Sequence, residues 1–298
     1  TTMPLPHRPL TILAALAALC LAPAARAGLA GEGADESPPI SWSAFGTVGL
    51  AVSDQPWRYQ RFISDRPSVE RDTVFGVQAD LELAPRWTAT VQARLAPSEK
   101  HDSRWDLTTA WAFAAWRPDN AWLLRAGKLR VPFLLRSEQL DVGQTYDEAR
   151  LPAEIYTLPP TNDFTGALVS HTWSLPRGDL SLDGYFGDSN LTERFWVGDP
   201  VPSPLPGQPA LRPAGALFTT VNVAVQGLVL TWRAPDLLAR AGVHHARTRR
   251  VDGGQLTVRP TWAPLGPGIG YWQTDNALPG PGLAEVPRIH NLLFTLGA

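Results

Sequence analysis

The sequence predicts an all-β fold, and more specifically a transmembrane antiparallel β-barrel. Residues 74–95 carry the clearest evidence, because apolar and polar side chains alternate along 74–83 and again along 87–95. Each run is about the nine to eleven residues that a tilted strand needs to cross a bilayer. Only Ala84–Arg86 separates the two runs. They are therefore typical of a membrane-spanning hairpin, and helical periodicity is nearly absent from the rest of the chain.

The same alternation, together with turn residues, predicts ten strands in order along the chain. They cover residues 40–53, 73–83, 87–95, 105–117, 121–131, 163–173, 179–187, 216–232, 237–248 and 288–298. The short connections are Ala84–Arg86, Pro118–Asn120, Ser174–Gly178 and Arg233–Asp236. The longer ones are Ser53–Asp72, Ala96–Arg104, Pro132–Asn162, Asp188–Gly215 and Arg249–Pro287. Short turns on one side and long loops on the other are typical of an outer-membrane barrel, whereas a Greek-key sandwich has no reason to sort its loops.

Tryptophan is concentrated near the short connections. Five of the 12 tryptophans lie within a residue or two of one: Trp87, Trp116, Trp122, Trp173 and Trp232. A barrel has such an aromatic girdle at the lipid head groups, although aromatic residues also cap strand ends in other β-domains. Residues 107–117 and 163–173 do not choose a face clearly. A bulge near Gly127 is needed to keep Arg125, Lys128 and Arg130 off the lipid.

The N-terminus predicts secretion. His7 and Arg8 precede an apolar run from Leu10 to Ala22 that is too short to span a bilayer, and a small-residue cleavage pattern ends at Ala27. Residues 1–27 are therefore expected to be a signal peptide, and 28–298 a porin-like β-barrel domain. The alternative, a buried N-terminal helix, conflicts with the prolines that bracket the run.

Composition excludes several function classes. Removal of residues 1–27 takes away Arg8 and Arg26 and no acidic residue, so the formal net charge changes from −2 to −4. A nucleic-acid partner is not expected, because it requires a strongly basic surface. Cys20 is the only cysteine and lies in the predicted signal peptide, which leaves no thiol for a disulfide, redox centre or metal site. No cofactor and no metal are expected.

One long connection, residues 132–162, holds most of the candidate functional side chains. It follows Gly127-Lys128-x-Arg130-x-Pro132-Phe133 and contains Glu138, Asp141-Val142-Gly143 and Leu151-Pro152-Ala153-Glu154-Ile155-Tyr156. With Gly166 and Tyr185-Phe186-Gly187-Asp188, these residues resemble Gram-negative outer-membrane porins of the phosphate-selective porin-like group. The resemblance covers about residues 127–188 at the level of motifs.

The resemblance implies that the loop after the fifth strand folds into the lumen and narrows a pore. Arg130, Arg136 and Arg150 are then candidate basic lining, and Glu138, Asp141 and Glu154 are candidate acidic lining. Opposed rings of these charges would favour small polar solutes over apolar ones. Phosphate specificity is not expected, because Lys100 and Lys128 are the only lysines. The alternative is that these charges form a solvated loop surface with weak ion pairs.

The expected function is passive diffusion of small hydrophilic solutes or ions across the bacterial outer membrane, without enzymatic activity. Partners are then membrane lipid and, for a complete barrel, two further copies in a homotrimer. One rival is an outer-membrane β-barrel enzyme, which needs a Ser, His and acid set near one rim. Another is a secreted β-sandwich binding module. Metal binding by His171 with His244 or His245 is disfavoured, because adjacent histidines in a strand point to opposite faces.

The predicted strands do not make a complete barrel. A porin of the resembled kind has about sixteen strands, whereas ten are predicted here. The last strand stops at Ala298 without the aromatic residue that usually ends such barrels. We therefore expect a C-terminally truncated barrel, present as a curved, unclosed wall that conducts no ions by itself.

Overall fold

The computed structural model describes residues 40–145, 151–200, 213–277 and 283–298, so the predicted signal peptide lies outside the described residues. The strands are β1 (Ile40–Thr47), β2 (Val74–Ala84), β3 (Trp87–Pro97), β4 (Trp105–Trp116), β5 (Trp122–Arg130), β6 (Asp163–Leu175), β7 (Gly178–Val197), β8 (Gly215–Ala234), β9 (Leu237–Arg250), β10 (Leu256–Gly266), β11 (Ile269–Asn276), β12 (Ala284–Val286) and β13 (Ile289–Gly297). A short helix, α1 (Ala153–Tyr156), and 3₁₀ turns at Ser137–Gln139 and Gly143–Thr145 lie between β5 and β6. None of the helices in the described ranges is long and apolar enough to cross a membrane.

Ten strands form one antiparallel sheet in the order β1 to β9 followed by β13. Neighbours along the chain are neighbours in the sheet, and β13 pairs with β9 after the chain has left the sheet and returned. The sheet is open, with β1 and β13 at its edges. The prediction of an all-β fold with an unclosed ten-stranded sheet is confirmed, and β10, β11 and β12 are additional strands.

The connections alternate in length as predicted. Short turns at residues 85–86, 117–121, 176–177 and 235–236 lie at one end of the strands. At the other end the connections are residues 48–73, 98–104, 131–162, 198–214 and 251–288. We call these the short-turn end and the long-loop end of the sheet.

Two of the expected long loops contain strands instead. β7 and β8 each have 20 residues and continue beyond the predicted 179–187 and 216–232. Within residues 249–287, β10, β11 and β12 form a separate three-stranded sheet in the order β11-β10-β12. Pro260 and Pro264 disfavour a strand in this stretch, because proline cannot donate a backbone hydrogen bond. However, β12 pairs only with Leu256–Val258 and does not reach either proline. Both prolines therefore lie where β10 has a neighbour on one side only, which a residue without an N–H tolerates.

The β-bulge in the ten-stranded sheet also lies at a different residue from the predicted one. The pairing of β3 with β4 shifts between Gln92 and Ala93, which leaves Ala110 as an extra residue in β4. This bulge explains why residues 107–117 do not choose a face. The predicted bulge at Gly127 is wrong, because β5 pairs with β6 without a shift. Gly127 instead has a φ of +133°, and a Cβ there would lie 2.3 Å from the Ala112 carbonyl oxygen.

The register separates the ten-stranded sheet into two faces. The inner face carries Gln92, Leu168 and His244, and the outer face carries their neighbours Val91 and Val169. Gln92 is 5% exposed, whereas Val91 is 49% exposed. Exposed large apolar residues recur over the outer face: Trp87, Leu107, Trp173, Phe186, Leu228, Leu230, Val243, Leu292, Phe294 and Leu296. The apolar side of this sheet is thus uncovered, and the opposite side is covered.

The buried core lies on the inner face of β5 to β9. Its wall members include Leu129, Phe164, Leu168, Tyr185, Val223, Val225, Val229 and Ala246. Val131 and Phe133 cover it from the connection between β5 and β6, and Leu256 and Val258 cover it from β10. The inner face is therefore apolar over half of the sheet, not uniformly polar as a water-filled lumen predicts.

Candidate functional site

Residues 131–145 and 151–162 are the described parts of the connection between β5 and β6, and they lie over the inner face of the sheet. We call them the crossing segment. Their first turn is anchored by apolar contacts. Phe133 is 2% exposed and meets the His244 ring of β9 edge-on at 4.6 Å between centroids. The Arg240 guanidinium of β9 donates to the Leu134 carbonyl at 2.8 Å. Burial of the Phe133 ring fixes where the segment leaves the wall.

The next part of the crossing segment forms ion pairs with arginines of β3 and β5. Asp141 accepts from Arg94 of β3 at 2.9 Å and forms a second ion pair with Arg130 at the end of β5. Glu138 binds both terminal nitrogens of Arg125 at 3.2 Å. The crossing segment therefore contacts β3, β5 and β9, which brings non-neighbouring strands into one site.

The environments of the two carboxylates differ. The side chains of Asp141 and Arg130 are 13% and 6% exposed, whereas Glu138 is 41% exposed. Removal of one partner costs more stability in an ion pair that is shielded from water than in an exposed pair, because the other charge is left buried. Asp141 is thus the structural centre of the site, and Glu138 lies at its rim.

Arg136, a predicted member of the basic lining, makes its contacts within the crossing segment. Its guanidinium contacts Gln139 Oε1 and the Thr145 carbonyl, each at 3.4 Å, within the crossing segment itself. Its backbone N–H donates to the Tyr156 hydroxyl at 3.2 Å. The structure therefore gives Arg136 contacts that hold the fold of the segment. The predicted residue Arg150 and the side chain of Glu154 lie outside the described part of the chain.

Arg94 and Arg125 belong to the site although neither was among the predicted lining residues. The alternation of side chains along the strands could have identified them, because it places both arginines on the polar face. The sequence does not show which carboxylates they contact. Within the described residues, the Nε atoms of Arg94, Arg125 and Arg130 are buried without a hydrogen-bond partner. Each is an unused donor beside the crossing segment.

A polar network extends the site over the inner face of β2 and β3. Gln92 donates to Gln78, Gln78 donates to Asp80, and Thr90 donates to the same carboxylate, at distances of 2.7–2.8 Å. The inner face is therefore polar and charged on β2 and β3 and mainly apolar on β6 to β9, and β5 carries both Arg125 and the core residue Leu129. The crossing segment follows this division, because Glu138 and Asp141 pair with arginines of β3 and β5, whereas Phe133 packs on β9.

Two cavities flank the crossing segment. One, of about 350 Å³, lies toward β1 to β3 and has six charged residues in its lining: Glu70, Arg71, Asp72, Arg94, Glu99 and Asp141. The other, of about 180 Å³, lies toward β9 and β13 and is lined mainly by apolar residues. Tyr156 contributes to both linings. The larger cavity has two cationic and four anionic side chains, so its lining is acidic.

A second set of ion pairs ties the loops together at the long-loop end. Asp102, between β3 and β4, accepts from Arg194 of β7 at 2.8 Å to both oxygens and from Arg61 Nε at 2.7 Å. Arg194, and to a lesser degree Arg61, lowers the pKa of Asp102 below its usual range. Arg61 has a φ of +74°, which is strained for a residue with a side chain. Because β4, β5 and β6 separate these elements in the sheet, the contact joins parts of the chain that are not neighbours in the sheet.

His171 and His244, which were considered together for metal binding, lie on opposite faces of the sheet. His244 is buried between the Tyr185 hydroxyl at 2.8 Å and the Thr295 hydroxyl at 2.9 Å. His171 lies between the rings of Trp122 and Trp173 on the outer face. In the four described ranges, no three His, Asp or Glu residues are placed to hold a metal ion.

No model of a known protein family matches this sequence, and no curated protein matches it significantly.

Proposed function

We propose that the ten-stranded sheet is part of the wall of an outer-membrane β-barrel that allows passive diffusion of small hydrophilic solutes or ions. The crossing segment is the constriction in this proposal, and Arg94, Arg130 and Asp141 are its central charges. The barrel needs further strand pairing at β1 and β13, because an unpaired edge in hydrocarbon leaves backbone groups unsatisfied at several kcal/mol each.

The observation that carries the proposal is the contrast between the two faces of the sheet. The outer face exposes large apolar side chains over all its strands, and Phe294 and Leu296 are 76% and 90% exposed. Contiguous apolar surface of this extent marks a surface that is covered by another apolar phase. The inner face has a charged segment across it, which is the arrangement that a constriction requires.

The short-turn end provides a second observation. Trp87 and Trp116 stack at 5.7 Å on the outer face, and Trp122 and Trp173 lie on either side of His171 at 4.4 and 4.3 Å. Tryptophan favours the level of the lipid head groups. A secreted sandwich would instead cover its apolar face with a second sheet, but β10 packs on the inner face.

Lipid contact is tested by single cysteines on the two faces of β3. With Cys20 replaced by serine, Val91→Cys on the outer face and Thr88→Cys on the inner face are labelled with a small fluorophore and reconstituted into vesicles that contain brominated lipid. We expect quenching at position 91 and little quenching at position 88, because only the outer face contacts lipid. Equal quenching at the two positions, or none at either, would refute the membrane wall.

The channel itself is tested by planar-bilayer conductance of protein purified from its own membrane. We expect steady ohmic conductance, and a change in ion preference toward anions for Asp141→Asn, since a carboxylate at the constriction acts directly on a partly dehydrated ion. Glu285→Gln, an exposed change outside the crossing segment, is the matched control. Protein that inserts into the bilayer without conducting would refute the channel and leave the wall.

A further inference from the structure

A group of basic side chains lies on the outer face at the long-loop end of β9 and β13. Arg247 is directly opposite His290 in the register, and Arg249 lies two residues further along the same face. Arg288 precedes β13 by one residue and shares the parity of His290. All four side chains are exposed. We call these four residues the basic patch.

The arginines of the basic patch form no ion pair with a carboxylate among the described residues. Arg249 Nε donates to the amide oxygen of Asn222 at 3.3 Å, and Arg247 and Arg288 have no polar side-chain partner there. Of the nearby carboxylates, Asp188 accepts from Asn222 and Asp252 pairs with Arg250. Three exposed arginines thus share one surface with donor groups available to an anion.

The position of the patch along the strand indicates its depth in a membrane. Arg247 is ten residues from Leu237, where β9 begins at the short-turn end. A tilted strand crosses the hydrocarbon layer in about nine to eleven residues. Arg247 therefore lies at the far boundary of the apolar layer. Toward the short-turn end of the same face, His245 comes next on β9 and contacts His290 at 3.1 Å. Val243 of β9 and Leu292 and Phe294 of β13 follow and are exposed.

We propose that the basic patch binds the phosphate group of a lipid in the leaflet on the long-loop side, with the acyl chains along Val243, Leu292 and Phe294. This inference rests on the proposed function, because it requires the outer face to contact lipid. Arginine suits a phosphate, since its planar fork donates two parallel hydrogen bonds. A second copy related by a two-fold axis is a poorer occupant, because it would bring the same arginines together.

The test measures lipid retention in protein reconstituted with phosphatidylglycerol and phosphatidylcholine. Native mass spectrometry counts the lipids that remain bound after detergent transfer. The test variant is Arg247→Gln with Arg249→Gln and Arg288→Gln. The matched control removes the same charge at the short-turn end, with Arg86→Gln, Arg177→Gln and Arg233→Gln. We expect the test variant to lose affinity for phosphatidylglycerol roughly a hundredfold, from three basic residues near a lipid surface, and the control to lose little.

Several outcomes overturn the inference. An equal loss in both variants means diffuse attraction to negative lipid, and retention of phosphatidylcholine as strong as that of phosphatidylglycerol means that phosphate charge is not recognised. A loss of oligomer mass instead of lipid in the test variant assigns the patch to a contact between copies. Absence of bromolipid quenching at position 91 overturns the proposed function and this inference together, whereas quenching without lipid retention overturns only this inference.

Discussion

Removal of the Asp141 carboxylate is the sharpest test of the crossing segment. Asp141→Asn keeps the shape of the side chain but removes the charge that pairs with Arg94 and Arg130. Arg94 retains Glu99 at 3.0 Å, whereas Arg130 is 6% exposed and loses its only ion pair in the described residues. A guanidinium left buried without its partner costs about 3–5 kcal/mol, and the amide oxygen of asparagine recovers part of this. We expect the free energy of unfolding to fall by about 3 kcal/mol.

The measurement is urea unfolding in detergent micelles, followed by tryptophan fluorescence. Glu138→Gln is the matched control, because it removes one carboxylate from the same segment at a position that is 41% exposed. An exposed pair contributes about 0–1 kcal/mol, so the control should change little. In an Arg130→Met background, the cost of Asp141→Asn should shrink, which isolates the pair. Equal costs for Asp141→Asn and Glu138→Gln, or no coupling to Arg130, would refute the reasoning.

Three further predictions follow from the two faces and the loops. Val91→Arg should lower the free energy of unfolding in lipid by roughly 2–4 kcal/mol, because Val91 lies on the outer face. Thr88→Arg, on the inner face near the short turn, should cost little. Similar costs at the two positions would contradict the assignment of the outer face to lipid. Asp102 has a lowered pKa in the fold, so its stabilising contribution is present above its unfolded pKa of about 4 and is lost as the pH falls through the folded pKa. The protection factor of residues 58–66, which is the intrinsic exchange rate divided by the observed rate, should therefore fall as the pH is lowered. Asp102→Asn should make that protection factor low at every pH, with β9 (Leu237–Arg250) as the unaffected reference. On intact cells, an added protease should cut within 188–215 or 249–287, with exposed residues 251–255 as the expected site. It should spare residues 118–120. Cleavage restricted to 118–120 would mean that the short-turn end faces the outside of the cell.

One sequence-based expectation changes with the structure. From the alternation of the strand alone, Gln92→Arg is predicted to cost little, because Gln92 belongs to the polar face. The structure places Gln92 on the inner face but 5% exposed, with its amide donating to Gln78 at 2.8 Å. A longer charged side chain there would break the network and overpack the site. Thr88 is therefore the suitable comparison for Val91.

Local patterns determined the wall of this protein. The alternation along 74–83 and 87–95 predicted which residues share a face, and that prediction holds at Val91 and Gln92, because side chains in a strand alternate whatever their partners. The lengths of the connections predicted the neighbour-to-neighbour order of the strands, since short turns allow only adjacent antiparallel pairing. The patterning failed at Ala110, where an inserted residue changes the parity without leaving a mark in the sequence.

Only the tertiary structure decided what lies against the wall. Arg94 and Asp141 are 47 residues apart, and nothing local to either one predicts that they meet at 2.9 Å. The strands hidden in residues 249–287 contain prolines that strand patterns disfavour, and they form because β10 needs a partner on one side only along that stretch. Asp102 likewise meets Arg194 although the two residues are 92 positions apart. Alternation is fixed by the geometry of each strand, whereas these contacts depend on where separate parts of the chain come together, and a single strand carries no record of that.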